Sequence, residues 1–511
     1  MKKEYKVLYV FALIKFILPF ILQNSYYEPQ RDEFLYLAEA HHMAWGFMEV
    51  PPLLSVFAWF TNLFGTSMFW LKFWPSLFGA LTYIMVGRII LSFGGKVFAL
   101  FLALLAFILT VFLRLQFLFQ PNILDVFFWT MLCFSILRFI QSQKNIYLYV
   151  FGVSAGLGML SKYSVAFFIT SIILALAITR NRKIFLNKHL YFASLIGFLI
   201  FLPNLLWQFR YHFPVIEHMR ELHQFQLQYV SPAGFLIDQL LMNLPVVFIW
   251  IAGLYFVVFK EDGKYRVFGW AYLLVILILL YFQGKNYYSL GVYPILFAFG
   301  AIHLERFAIK HSKVWKYVFM VIPLALGIPL IPLYLPVYKP EKLAAYYKAK
   351  HLEKTGFLKW EDLQNHPLPQ DFGDMLGWKE MTEKTAKAYA SMSDEEKKNT
   401  FIFADNYGQA GAINYYGKKY NLPTVYSDNA SFLYWLPDSL HIENLLLISD
   451  DKQEMQHDFI KDFQSAVVSD SITHPYAREH GSLIIILKGA NEKFNQMFKE
   501  KIKKDRERFI K

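Results

Sequence analysis

The chain has 511 residues, of which 56% are hydrophobic and 19% aromatic, with 52 Phe. A soluble globular protein is not built from so apolar a composition, and the apolar residues fall in many runs near the ~20 residues that cross a bilayer. The formal net charge of +12 does not point to nucleic acid, because the basic residues cluster in short loops between apolar runs and so set membrane orientation.

In chain order, the first apolar run begins like a signal peptide, MKKEYKVLYVFALIKFILPF, but no small-residue cleavage site follows. An uncleaved span is therefore expected over 7–24, with Lys15 snorkelling or facing the interior. The next stretch, Glu28 to Leu54, is far more polar than its surroundings. It carries the adjacent acids Asp32 and Glu33 near its head and Pro51-Pro52 near its tail. Carboxylates at a membrane edge are costly, which marks this pair as functional. Leu53 to Phe64 is apolar but too short to span, and reads as an interfacial or re-entrant helix after the Pro-Pro break.

Further spans are expected at 68–91, 97–113, 122–141, 146–161, 163–180, 189–206, 236–258, 267–283, 287–305 and 315–335, about eleven in all. With the N-terminus inside, eighteen basic residues from Lys2 to Lys316 lie on the inner side and seven on the outer side. That bias agrees with the positive-inside rule. The single cysteine, Cys133, lies in an apolar run and allows no internal disulfide.

After about Leu335 the composition turns soluble and charged. Strand-like runs at 401–404, 424–426, 444–449, 465–468 and 483–487 alternate with helix-like stretches such as Gln409 to Tyr420. A small α/β domain is expected, on the same outer face as Asp32. The final KEKIKKDRERFIK reads as a solvated helix end.

Under this topology the polar residues at span ends converge on the outer face. Asp32 and Glu33 are joined there by Gln120, Asn122 and Asp125, by Lys162 and Tyr163, and by Asn204, Gln208, Arg210 and His212. Lys285, Tyr287 and Tyr288 complete the set. A carboxylate can accept the proton of an attacking hydroxyl, and cations can stabilise charge growing on a phosphate leaving group. A metal site from Glu39, His41, His42 and Glu49 together with Asp32 is disfavoured, because vicinal histidines on a helix point in different directions. Two other readings are a glycolipid transporter or flippase and a non-catalytic sensor with an outer binding domain. The first would place its polar residues at the midplane and often shows repeated halves; the second needs no acid pair in the first loop.

The order of these segments resembles a known family: an Asp-Glu pair after the first span, Pro-Pro-Leu, QPNILD, GLGMLSKYS, LPNLLWQFRYHFP and GKNYYSLGVYP. It is similar to the bacterial members of the dolichyl-phosphate-mannose protein mannosyltransferase superfamily, glycosyltransferase family 39-like proteins of GT-C fold. These are related to the aminoarabinose transferase that modifies lipid A. The resemblance covers residues 26 to 300, and NYGQAGAINYYG (406–417) looks like the tail domain of one bacterial subgroup.

The resemblance implies a polytopic α-helical membrane protein of GT-C type. About eleven transmembrane helices would occupy 1–336, with the catalytic outer loop at 25–67, and an extracytoplasmic α/β domain would occupy 337–511. It implies a polyprenyl-phosphate sugar donor, a lipid, protein or glycan acceptor, and an inverting transfer with no required cofactor and at most loose use of a divalent cation. The expected setting is the bacterial inner membrane. Asp32 is the expected base, with Glu33 supporting it or touching the acceptor, and Asp125 the second acid. Lys162, Lys285 and Arg210 are expected at the phosphate, with Tyr287, Tyr288 and His212 lining the substrate.

Overall fold

The computed structural model describes residues 3–65 and 67–509, so Lys2 of the inner basic set and the last two residues of the C-terminal stretch lie outside the described residues. Each expected span is met by apolar helix. In order these are α1 (Lys3–Leu22), then, after the short polar helix α2 (Arg31–Glu39) and the apolar α3 (Leu53–Phe64), α4 (Met68–Ser92), α5 (Val97–Ile108), α6 (Pro121–Ser142), α7 (Ile146–Met159), α8 (Val165–Ile178) and α9 (Lys188–Arg210). After the amphipathic α10 (Pro214–Phe225) come α11 (Pro232–Leu241), α12 (Val247–Phe259), α13 (Arg266–Tyr281), α14 (Tyr293–His311) and α15 (Val314–Gly327).

By length and composition six of these helical stretches suit a membrane crossing, or eight if two bent pairs each count as one, so the expected eleven is not reached on that test. The difference is local. The run at 236–258 is broken by 65° between α11 and the apolar stretch that starts at Leu244, where Pro245 has no N–H to continue the ladder. α5, α7 and α13 are apolar but shorter than a full crossing. Neighbouring helices approach closely through glycine, as small residues allow in membrane bundles. Gly156 of α7 faces the Gly197 carbonyl of α9, and Gly253 of α12 faces the Leu296 carbonyl of α14.

The tail folds as expected around α16 (Trp378–Ala390), β1 (Thr400–Ala404), α17 (Tyr407–Tyr416), β2 (Val425–Tyr426), β3 (Asn444–Ser449), β4 (Phe463–Ser471), β5 (Leu483–Ala490) and α18 (Glu492–Phe509). The sheet order is β2-β1-β3-β5-β4. β1 pairs in parallel with β2 and β3, and β5 pairs antiparallel with β3 and β4. Every residue of the central β3 is buried, as its unbroken apolar run demands of a strand covered on both faces. α16 and α17 cover one face through Trp378, Met381, Ala410 and Ile413, and α18 covers the other through Phe494, Phe498 and Ile502. The end of α18 is not merely solvated: Arg508 pairs with Glu217 and Glu221 of α10, each at 2.9 Å.

The feature that positions the site is α2. Its Phe34 and Leu35 belong to the same apolar cluster as Trp378, Ile413 and Leu446 of the tail. Its Tyr36 and Leu37 pack instead with Phe119, Ile123 and Leu124 at the head of α6. One short helix of the first loop is therefore shared between the tail sheet and the apolar bundle.

Candidate functional site

α2 begins with a capping box. Gln30 Oε1 accepts the Asp32 N–H at 2.9 Å, and Glu33 Oε2 accepts the Gln30 N–H at 2.9 Å. The cap fixes the first turn and sends the two neighbouring acids in different directions. Glu33 turns inward and is fully buried. It accepts from the Lys72 ammonium and from the Phe119 N–H at 2.7 Å. The expectation that Glu33 contacts an acceptor is thus corrected: both its oxygens serve the fold, since an unpaired carboxylate there would carry a large desolvation cost.

Asp32 turns toward the site and is only half-buried. Its Oδ1 accepts the Tyr407 hydroxyl at 2.7 Å, and its Oδ2 accepts Gln120 Nε2 at 3.0 Å. From Gln120 the bonding continues inward. Asn122 Nδ2 donates to Gln120 Oε1 at 3.3 Å, and Lys162 Nζ donates to Asn122 Oδ1 at 2.6 Å. The run from Lys162 to Asp32 therefore donates in one direction throughout, from cation to carboxylate, and each bond polarises the next. Pro121 at the first position of α6 pre-sets the helix start, which holds Gln120 and Asn122 on either side of it.

Lys162 also lies over the ring of Tyr288, 4.1 Å from its centre, and 5.5 Å from that of Tyr287. Asp125, one turn into α6, is buried and accepts from Ser164 Oγ at 3.1 Å; the charge of Lys162 acts on it. Behind them Tyr163 donates to Asn204 Oδ1 at 3.0 Å, accepts from Gln208 at 2.8 Å, and Asn204 donates to the Trp45 carbonyl at 2.6 Å. The Lys285 side chain makes no hydrogen bond or ion pair among the described residues, yet its charge acts on both Asp32 and Lys162. A partly exposed ammonium with no partner of its own is free to meet an anion.

Burial pushes the Asp32 carboxyl above its ordinary range; the Tyr407 hydrogen bond, Arg31 and Lys285 pull it back, and Asp371 pushes it up. His218 of α10 is pushed down to about 4 by burial and by Lys285.

Two expected residues stand apart. Arg210 is exposed and rests against Tyr211, 6.0 Å from its ring centre. Asn204 and Gln208 are four apart and share the buried face of α9, so Arg210 falls on the opposite side. His212 is exposed in the turn after α9, with a left-handed φ of 57°. Tyr407 and Arg31 were missed. Arg31 donates to the Tyr407 hydroxyl at 3.0 Å and stacks over its ring at 4.2 Å. The Asp405-Asn406-Tyr407-Gly408 segment lies between the strand-like run 401–404 and the helix-like stretch from Gln409, and nothing local ties it to Asp32.

The residues considered for a metal are engaged separately. Glu39 accepts from Ser55 at 2.6 Å, Glu49 accepts from the Ser431 N–H at 2.7 Å, and His42 stacks on Trp435 at 4.3 Å. Elsewhere Asp451, Glu454 and His457 bring ligand atoms within 4.8 Å of one another. His457 pairs with Asp451 at 2.8 Å and Glu454 accepts from Ser449 at 2.9 Å, so internal hydrogen bonds account for that cluster.

The family model described as dolichyl-phosphate-mannose-protein mannosyltransferase matches residues 49–207, a segment that includes Asp125 and Lys162 but not Asp32. No curated protein matches the chain. Among solved structures, ArnT from Cupriavidus metallidurans bound to undecaprenyl phosphate is 12% identical. It superposes with a TM-score of 0.63 over 95% of this chain and 98% of that one. The same protein in the apo state gives 10% identity and a TM-score of 0.62 over 94% and 97%. The chain thus shares the fold of that membrane protein over nearly its whole length, and its segment 49–207 is similar to the mannosyltransferase family.

Proposed function

We propose that the chain is a membrane glycosyltransferase that moves a sugar from a polyprenyl-phosphate donor to an acceptor hydroxyl on the outer face. The observation that carries the reading is the one-way hydrogen-bonded run from Lys162 through Asn122 and Gln120 to Asp32. It sets a base and a phosphate-binding cation at opposite ends of one polar strip, as substitution at an anomeric carbon requires.

Asp32 removes the proton of the acceptor hydroxyl, whose oxygen forms a bond to the anomeric carbon. The bond from that carbon to the phosphate oxygen breaks on the opposite side, so configuration inverts. The polyprenyl phosphate leaves with the electron pair, its charge met by Lys285 and Lys162. Tyr288 and Tyr287 flank Lys162 and keep it desolvated, which strengthens its pull on an anion. The N-terminus lies inside and the tail domain outside. A tail cavity of about 350 Å³, lined by Trp360, Glu361, Arg478 and His480 among others, is the acceptor side of the reading. Its Glu361 reaches back to Gln226 at 2.9 Å and feels Lys285.

Asp32→Asn tests the assignment: transfer from an undecaprenyl-phosphate-linked sugar should disappear while the thermal unfolding profile is kept. Full transfer by that variant would sink it.

A further inference from the structure

We propose that Tyr407 is a positioning residue for Asp32, so that the reaction centre is complete only while the tail domain is docked on α2. The inference rests on the reading of Asp32 as the base. It goes beyond that reading by assigning part of the centre to a residue 375 positions away in the chain.

Three observations carry it. The first is the direction of the bonds. Arg31 has only donors, so the Tyr407 hydroxyl must accept from it at 3.0 Å, and its one proton is then committed to Asp32 Oδ1 at 2.7 Å. The second is the fixing of the phenol. The Arg31 guanidinium lies 4.2 Å above the Tyr407 ring, and Tyr407 is the first residue of α17, capped by Asn406, whose side chain accepts from the Gly408 and Gln409 N–H groups. The third is the close approach of the two helices. A Cβ on Gly408 would lie 2.6 Å from Arg31 Cγ, and one on Gly411 would lie 2.8 Å from Phe34 Cβ. Both positions are therefore filled by the only residue that lets α17 seat on α2 at this distance.

With Gln120 on Oδ2 and Tyr407 on Oδ1, the carboxylate is held from both sides, and the Tyr407 bond opposes the burial that raises it. The other groups that bear on it are Arg31, Tyr36 and Glu49 of the first loop, Asp371 and Asp374 before α16, and Lys285 and Tyr287 before α14.

The test follows modification of Asp32 by a water-soluble carbodiimide with a glycine ester, against pH, on the full chain in detergent, with the labelled peptide counted by mass spectrometry. The reagent takes the protonated carboxyl. In Tyr407→Phe the labelling midpoint of Asp32 should rise by about one pH unit, because a donor to the charged form is lost. A wider opening alone would raise the extent at every pH and leave the midpoint in place; that result, or no change, overturns the proposal. Tyr407→Phe keeps the ring under Arg31 and so keeps the fold. Gly411→Ala, which retains the phenol and lifts α17 from Phe34, should move the midpoint the same way. Transfer by Asp32→Asn at the wild-type rate would defeat the base assignment and leave this titration shift standing, so the two failures are separable.

Discussion

Lys72 and Glu33 form an ion pair in which neither side chain reaches solvent. The pair ties α4 to the first turn of α2, one residue from Asp32. Lys72→Met leaves a buried carboxylate without its partner, which should cost about 3–5 kcal/mol of stability. The double variant Lys72→Met with Glu33→Gln removes both charges and should recover much of that loss. Thermal unfolding in detergent measures both, and a single variant as stable as the parent would refute the pair's structural role.

Lys162 is held by Asn122 and by the Tyr288 face, and in the proposed reaction it meets the leaving phosphate. Lys162→Met keeps the length and apolar stem but removes the charge. Binding of undecaprenyl phosphate should weaken at least tenfold, about 1.4 kcal/mol, and the unfolding temperature should fall as well, because buried Asp125 loses the cation that acts on it. Arg210→Met, on the far side of α9, should leave that binding within twofold. Titration of both variants with the same lipid decides between them; equal losses would mean that the phosphate does not sit at Lys162.

Glu28 and Asp374 make the junction between the first loop and the tail sensitive to pH. Glu28 accepts the Lys379 N–H at 2.9 Å, and Asp374 accepts from Gln30 at 3.2 Å and Arg478 at 3.3 Å. Burial raises each to about 7, against the pull of Lys379 on Glu28 and of Arg478 and Arg31 on Asp374. Between the unfolded values, near 4, and about 7 the folded chain holds protons that the unfolded chain has released, so these two groups lose stability as pH rises through that window. The unfolding temperature of the full chain should fall from pH 5 to pH 7.5, and Glu28→Gln should flatten the slope. An unchanged slope in that variant would exclude Glu28 as a source.

The spans were legible because hydrophobic runs near bilayer length need no partner to be recognised. The tail strands were legible for a similar reason: β3 is one unbroken apolar run. What stayed hidden depends on direction and on distance along the chain. Asp32 and Glu33 are neighbours, and their separation by about 100° round α2 decides which one faces the site; that phase is set by the Gln30 cap and the Lys72 partner. Arg210 looked equivalent to Lys162 as a cation at a span end, and only the buried phase of α9 separates them. Tyr407 lies in another domain-like unit altogether, and no local spacing announces a hydrogen bond across 375 positions. The break at Pro245 was readable, since a proline inside a candidate span ends its hydrogen-bond ladder.

Gly156 on α7 tests whether glycine packing holds the scaffold behind the site. A Cβ there would lie 2.6 Å from the Gly197 carbonyl oxygen and 2.8 Å from Ile200 Cβ on α9. Both are closer than real contacts allow, and the first is backbone that cannot step aside. α7 ends at the turn that carries Lys162, and α9 carries Asn204 and Gln208 on its buried face. Gly156→Ala should therefore force the two helices apart, with a loss of about 1–3 kcal/mol as in overpacked cores. Because Tyr163 links this turn to Asn204 and Gln208, undecaprenyl phosphate binding should weaken together with stability. Gly65→Ala is the control for space: no atom lies within 4 Å of a Cβ there, so any cost comes from its φ of 99° alone and should spare lipid binding. Unfolding and lipid titration of both variants give the answer, and a Gly156→Ala protein with parental values in both would show that α7 and α9 need no such close approach.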